Sequence, residues 1–150
     1  MRLPKLLTIF SGLILLLGHL AFADNGLSAR ADALKDTLGN LRSAFGQRDA
    51  AFIRSTSAVF KVIESSAKAA EEVQRAAKNE RPRKEVASSI ERLRGQMDKM
   101  RSFVSYIKLT DRERSILRNV DVRYAQVLQF WNGYGAPNRG PGYLYRPYNW

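Results

Sequence analysis

The chain contains no cysteine and one histidine, His19. No disulfide can staple it, and beyond residue 19 it has neither a thiolate nor an imidazole. Those two groups supply most activated nucleophiles, general bases at neutral pH and transition-metal ligands. The composition therefore argues against an enzyme, and neither a metal nor a cofactor is expected. The Asn-x-Ser/Thr acceptor is also absent, so N-glycosylation is not predicted. Nor is there the alternating pattern of a half-buried strand. After residue 23 no stretch approaches the ~18 consecutive apolar residues of a membrane span.

What the N-terminus does have is an export pattern. Arg2 and Lys5 precede the apolar run Leu6 to Leu17, and Ala21-Phe22-Ala23 puts small residues two apart just before Asp24. Residues 1–23 read as a signal peptide, with an uncleaved membrane anchor as the competing reading. Cleavage removes His19 with the leader. The remaining 127 residues, 24–150, are enough for one core held by packing alone. Together these features predict a bacterial periplasmic or secreted protein. Without Arg2 and Lys5 the chain keeps 23 basic residues against 14 acidic, a formal charge of +9. Such an excess attracts anionic partners over about a Debye length, ~8 Å at physiological salt.

From Leu27 the apolar residues fall at helical intervals: Leu27, Ala31, Leu34, Leu38, Leu41 and Phe45. The same register carried onward reaches Phe52, Val59, Val62, Ala69, Val73 and Ala76, with Ile63, Ala70 and Ala77 beside it. Gly46, together with Arg48 on the apolar stripe, predicts a break at 46–48, with Asp49 as the next N-cap. Pro82 ends the second helix and fits the start of the third. There Val86, Ile90, Leu93, Met97, Met100, Val104 and Ile107 follow the spacing of a coiled-coil seam. Leu117, Val120, Tyr124, Val127 and Trp131 form another stripe, out of phase with the third. The phase change coincides with Thr110-Asp111-Arg112-Glu113, which fits a capping box. Four helical segments are expected, about 25–45, 49–79, 83–109 and 111–131. The fold class is all-α: either an antiparallel helical bundle or a long helical hairpin whose arms, 25–79 and 83–131, pair or oligomerise.

Three constellations invite chemistry. Ser65-Ser66-Ala67-Lys68 has the Ser-x-x-Lys spacing, but the companion elements of such enzymes are missing and Glu64 to Lys68 is an ordinary i,i+4 pair. Met97 and Met100 lie on the third seam, where methionine fills core gaps. Glu71 and Glu72 are adjacent and point about 100° apart, so they cannot share a metal or a proton as facing carboxylates do. Leu109 to Glu113 resembles the opening of the helix-turn-helix domain of LuxR-type regulators over five residues, without a recognition helix after Tyr124. The Leu-Thr start is similar to the short motif of Spy-type periplasmic chaperones, with Glu113 where that motif has glutamine. A capping box accounts for these residues without either family.

The basic residues are more ordered. Arg94, Arg101 and Lys108 recur every seven residues beside the third seam, and Arg112, Arg114, Arg118 and Arg123 follow on the fourth helix. Arg94 to Arg118 form a candidate basic strip. A further cluster, Arg75, Lys78, Arg81, Arg83 and Lys84, is diluted by Glu71, Glu72, Glu80 and Glu85. After Trp131 the composition changes to a tail, 132–150, rich in glycine, proline and aromatics, with no acid. Tyr134, Tyr143, Tyr145, Tyr148 and Trp150, interleaved with Arg139 and Arg146, suit stacking on a partner, while a clasp along the body and a flexible terminus stay open. The expected activity is binding of another macromolecule in the cell envelope, as adaptor, assembly component or holding chaperone. The alternative is direct binding to lipid, lipopolysaccharide or cell-wall glycan. Nucleic acid is not an expected partner, and self-association stays open.

Overall fold

A computed structural model describes the backbone of residues 5–133 and the side chains of residues 26–133. Among the described residues the structure is all-helical: α1 (Lys5–Gly46), α2 (Ala50–Ser55), α3 (Ser57–Lys78), α4 (Arg83–Val104) and α5 (Asp111–Gly133). The first helix does not start at the expected residue 25 but runs continuously from Lys5. No helix is long and apolar enough to cross a membrane among the described residues.

The break after α1 falls where glycine and a misplaced arginine predict it. Gln47 and Arg48 close the last turn onto Ala44 and Phe45, and the Asp49 carboxylate accepts the Phe52 amide at 2.8 Å, capping α2. A second break, at Thr56, divides the expected single helix 49–79. There the Ser55 and Thr56 hydroxyls both donate to the Phe52 carbonyl, at 2.9 and 2.7 Å. Hydroxyls that capture a helix carbonyl compete with the backbone ladder, and these two end α2 after six residues. Phe45 meets Phe52 and Phe60 edge-on, with centroids 5.8 and 6.3 Å apart, so the corner packs around one ring.

At the end of α3 the Arg81 amide reaches the Ala76 carbonyl and the Glu80 amide the Ala77 carbonyl, the paired bonds of a Schellman ending. That motif needs a left-handed residue, and Glu80 supplies it at φ 49°. Glycine takes this conformation without steric cost. Glu80→Gly is therefore expected to raise stability by about 0.5–1 kcal/mol. A lower urea midpoint for the variant would show that the glutamate side chain contributes more than its backbone strain costs. Pro82 follows with φ −51° and stands at the N-cap of α4.

The core follows the stripes. Leu27, Ala31, Leu34, Leu38, Leu41 and Phe45 of α1 are buried, as are Val86, Ile90, Leu93, Met97, Met100 and Val104 of α4, and Leu117, Val120, Tyr124 and Val127 of α5. Ile107 lies outside α4 in the following connection and is partly buried. On α3 the expected Val59, Ala69, Val73 and Ala76 are buried together with Ile63, Ala70 and Ala77 beside them; Ser66 is buried as well, and Val62 lies at the margin. α1 packs against α3 and α5, and α3 against α4. Alanines at 69, 70, 76 and 77 leave room for this close approach of α3. Because α1 folds back on α3, residues 25–79 are not one arm of an extended hairpin.

Candidate binding surface

Two acids of α5 are withdrawn from solvent. Glu113 is 2% exposed and Asp121 6%. Glu113 closes the capping box: its carboxylate accepts the Thr110 amide at 2.7 Å, and its own amide donates to the Thr110 hydroxyl at 3.2 Å. The same carboxylate accepts the Arg48 guanidinium at 3.1 Å. Thus the arginine that interrupts the α1 stripe ties the 46–49 corner to the start of α5. Arg48 also lies 4.1 Å over the Phe52 ring, and Arg112 donates to the Gln47 side chain at 2.9 Å.

Asp121 meets Arg101 of α4 through Nε at 3.2 Å and Nη2 at 2.9 Å, both to Oδ1. Arg101 lies 5.0 Å over the Tyr124 ring and 3.6 Å from Asp98. Burial pushes the Tyr124 hydroxyl up to about 12. Arg101 is itself only 7% exposed, so it leaves the exposed strip in which its seven-residue spacing places it. Flanking positions of a seam face the neighbouring helix, and in an antiparallel arrangement that neighbour is α5.

The other strip residues are split. Arg94 is half-buried and pairs with Glu91 at 3.1 Å, while its Nε is buried without a hydrogen-bond partner. Lys108 is exposed in the connection between α4 and α5. Arg112, Arg114 and Arg118 are exposed on α5, and Arg123 joins them. Asp111 is the one exposed acid of α5, and it is held by Arg114. With Glu113 and Asp121 turned inward, the exposed flanks of α5 carry four arginines against a single, already paired carboxylate. The tail residues Tyr134, Arg139, Tyr143, Tyr145, Arg146, Tyr148 and Trp150 lie outside the described residues. Their point of departure is fixed, because Arg83 lies 5.1 Å over the Trp131 ring and Arg30 4.4 Å over that of Phe130. Gly26 lets that ring approach: a Cβ there would stand 2.6 Å from Phe130 Cζ.

The remaining constellations resolve into packing and surface pairs. Lys68 bonds Glu64 at 3.1 Å and holds its carboxyl below the usual range. Ser65 is exposed, while buried Ser66 donates to the Val62 and Gln96 carbonyls at 2.9 and 3.2 Å. Met97 and Met100 are fully buried, and no cluster of three metal-ligating side chains occurs among the described residues. Arg75, Arg81 and Lys84 of the basic cluster at the α3–α4 turn line a shallow groove of about 630 Å³, where Glu85 pairs with Arg81 and Glu72 with Arg92. Comparison with family models, with curated proteins and with solved structures finds no match to this chain.

Proposed function

We propose that the protein is an exported, non-enzymatic antiparallel helical bundle that binds an acidic macromolecule of the cell envelope, as an adaptor, assembly component or holding chaperone. The observation that carries this reading is the sorting of charge on α5: its arginines are exposed while Glu113 and Asp121 face in, paired with Arg48 of the α1–α2 connection and Arg101 of α4. Surface arginines arranged this way steer an anionic partner and hold it by charge-assisted bonds. The aromatic, acid-free tail extends the same chemistry with rings that stack on prolines, sugars or guanidinium groups.

Arg118 and Arg123 have no carboxylate partner among the described residues, so reversing them should cost the fold little. Arg118→Glu with Arg123→Glu is expected to leave the melting curve unchanged and to reduce crosslinked partner in the native envelope by at least about tenfold. Truncation after Trp131 is expected to keep helicity and also reduce that capture. If both variants capture the parent's partner at parent level, neither surface binds it. Binding of the parent to protein-free lipopolysaccharide or glycan, lost on the Arg118/Arg123 reversal and at high salt, would favour direct attachment of α5 to an anionic surface.

A further inference from the structure

Four large apolar side chains are exposed among the described residues, and three of them share one end of the bundle. Tyr106 is 88% exposed, Phe103 42% and Ile53 36%, while Val122 lies apart on α5. Ile53 belongs to α2, and Phe103 and Tyr106 lie at and just beyond the last turn of α4. The Arg48–Glu113 and Gln47–Arg112 contacts bring those two connections to the same end. The tail departs from the opposite end, where Trp131 meets Arg83.

The charges at this end have one sign left over. Asp49 caps α2, Asp111 is held by Arg114, and Glu113 is buried against Arg48. Arg54 and Lys108 are exposed and have no carboxylate partner among the described residues. We propose that this end, formed by α2 and the 105–110 connection, is a docking surface for an anionic phospholipid bilayer: Tyr106, Phe103 and Ile53 enter the headgroup region while Arg54 and Lys108 meet lipid phosphates.

The surface goes beyond the partner-binding reading and shares with its basic strip only Lys108, which lies in the connection between α4 and α5. A bilayer fits better than a protein partner. Ile53 stands on α2 and Phe103 and Tyr106 at the end of α4, and none of them lines the groove described above, which lies at the other end. Protein hot spots pack into matching pockets, but a fluid headgroup layer conforms to protruding rings. An amphipathic tyrosine beside lysine or arginine is the pairing that settles at that depth. Apolar insertion and basic charge each bind weakly, and together they make a reversible attachment.

The test uses the chain exported to the periplasm, its N-terminal residue determined by sequencing, in flotation with phosphatidylglycerol–phosphatidylethanolamine vesicles and with phosphatidylcholine vesicles. Flotation is expected on the anionic vesicles and not on the neutral ones, and it weakens as salt rises. Phe103→Ser with Tyr106→Ser, or Arg54→Gln with Lys108→Gln, is expected to reduce it by about tenfold at an unchanged melting midpoint. The absence of cysteine permits a readout that does not depend on these variants. A polarity-sensitive dye on Tyr106→Cys should shift to the blue with anionic vesicles, while the same dye on Ser88→Cys, exposed near the opposite end, should not. No flotation on anionic vesicles overturns the proposal. So does flotation indifferent to all four substitutions, or a dye shift at Ser88 without one at Tyr106, because binding then lies elsewhere.

Discussion

Leu93→Asp, and equally Ile90→Asp, is expected to abolish the cooperative melting transition or lower its midpoint by tens of degrees. Both side chains are fully buried on the α4 seam. Truncating a buried leucine alone removes about 2–5 kcal/mol of transfer and packing energy. The aspartate adds a carboxylate that must be desolvated or protonated at further cost. Arg101 and Arg48 cannot answer it, since each is already committed to a carboxylate on α5. The sum is comparable to the whole stability of a domain this size, about 5–15 kcal/mol. Two controls isolate the cause: Leu93→Met, which nearly conserves volume, is expected to cost less than about 1.5 kcal/mol, and Lys99→Glu on the exposed face less than about 0.5 kcal/mol. Full helicity with an unchanged melting curve in Leu93→Asp would mean that this face of α4 is not in the core. Because Leu93→Asp puts a carboxylate on the buried face of α4 and Lys99→Glu puts one on its exposed face, circular dichroism of the three variants decides the register of the helix.

That register was legible before any coordinates because α1, α4 and α5 each carry one narrow stripe whose every step of three or four lands on the same side. The capping box was equally legible, since Thr110 and Glu113 act within four residues and need nothing from the rest of the chain. On α3 the buried face is legible but its centre is not. Its stripe has apolar neighbours at 62 and 63, 69 and 70, and 76 and 77, so two centres fit equally, and all of these but Val62 are buried. The phase of α1 does not choose between them, because phase is not conserved across a chain that breaks at residues 46–49 and again at Thr56. Arg101 was misplaced for a different reason. Its spacing fixes which side of α4 it occupies, but whether that side faces water depends on where α5 lies, which is a matter of antiparallel register between two helices. The clue available in the sequence was Asp121, an acid set between Val120 and Tyr124 on an apolar face. An acid in that position calls for a buried base.

Asp121→Ala is the sharper experiment on how α4 and α5 are held together. Backbone approach is close between α1 and α3, α3 and α4, and α1 and α5. The remaining edge, between α4 and α5, is spanned by the Arg101–Asp121 pair and by Arg101 over Tyr124. Removing the aspartate leaves a guanidinium that is 7% exposed, over the Tyr124 ring and 3.6 Å from the solvent-facing carboxylate of Asp98. A buried charge stripped of its partner costs about 3–5 kcal/mol, and Asp98 places the expected loss near the lower figure, about 3 kcal/mol. The pair as a whole is a different quantity, because both ions lost their hydration on folding. Arg101→Met with Asp121→Leu, which fills the space and removes both charges, is expected to lie within about 1 kcal/mol of the parent or above it. The double variant therefore recovers most of what either of its single changes, Asp121→Leu or Arg101→Met, loses, and the cycle returns their coupling energy. Urea unfolding of the four proteins supplies all the terms. A loss below about 1 kcal/mol for Asp121→Ala would place Arg101 in water, returning it to the basic strip beside Arg94 and Lys108. A large loss that the double variant fails to recover would show that the charges themselves, and not the space they fill, keep α4 against α5.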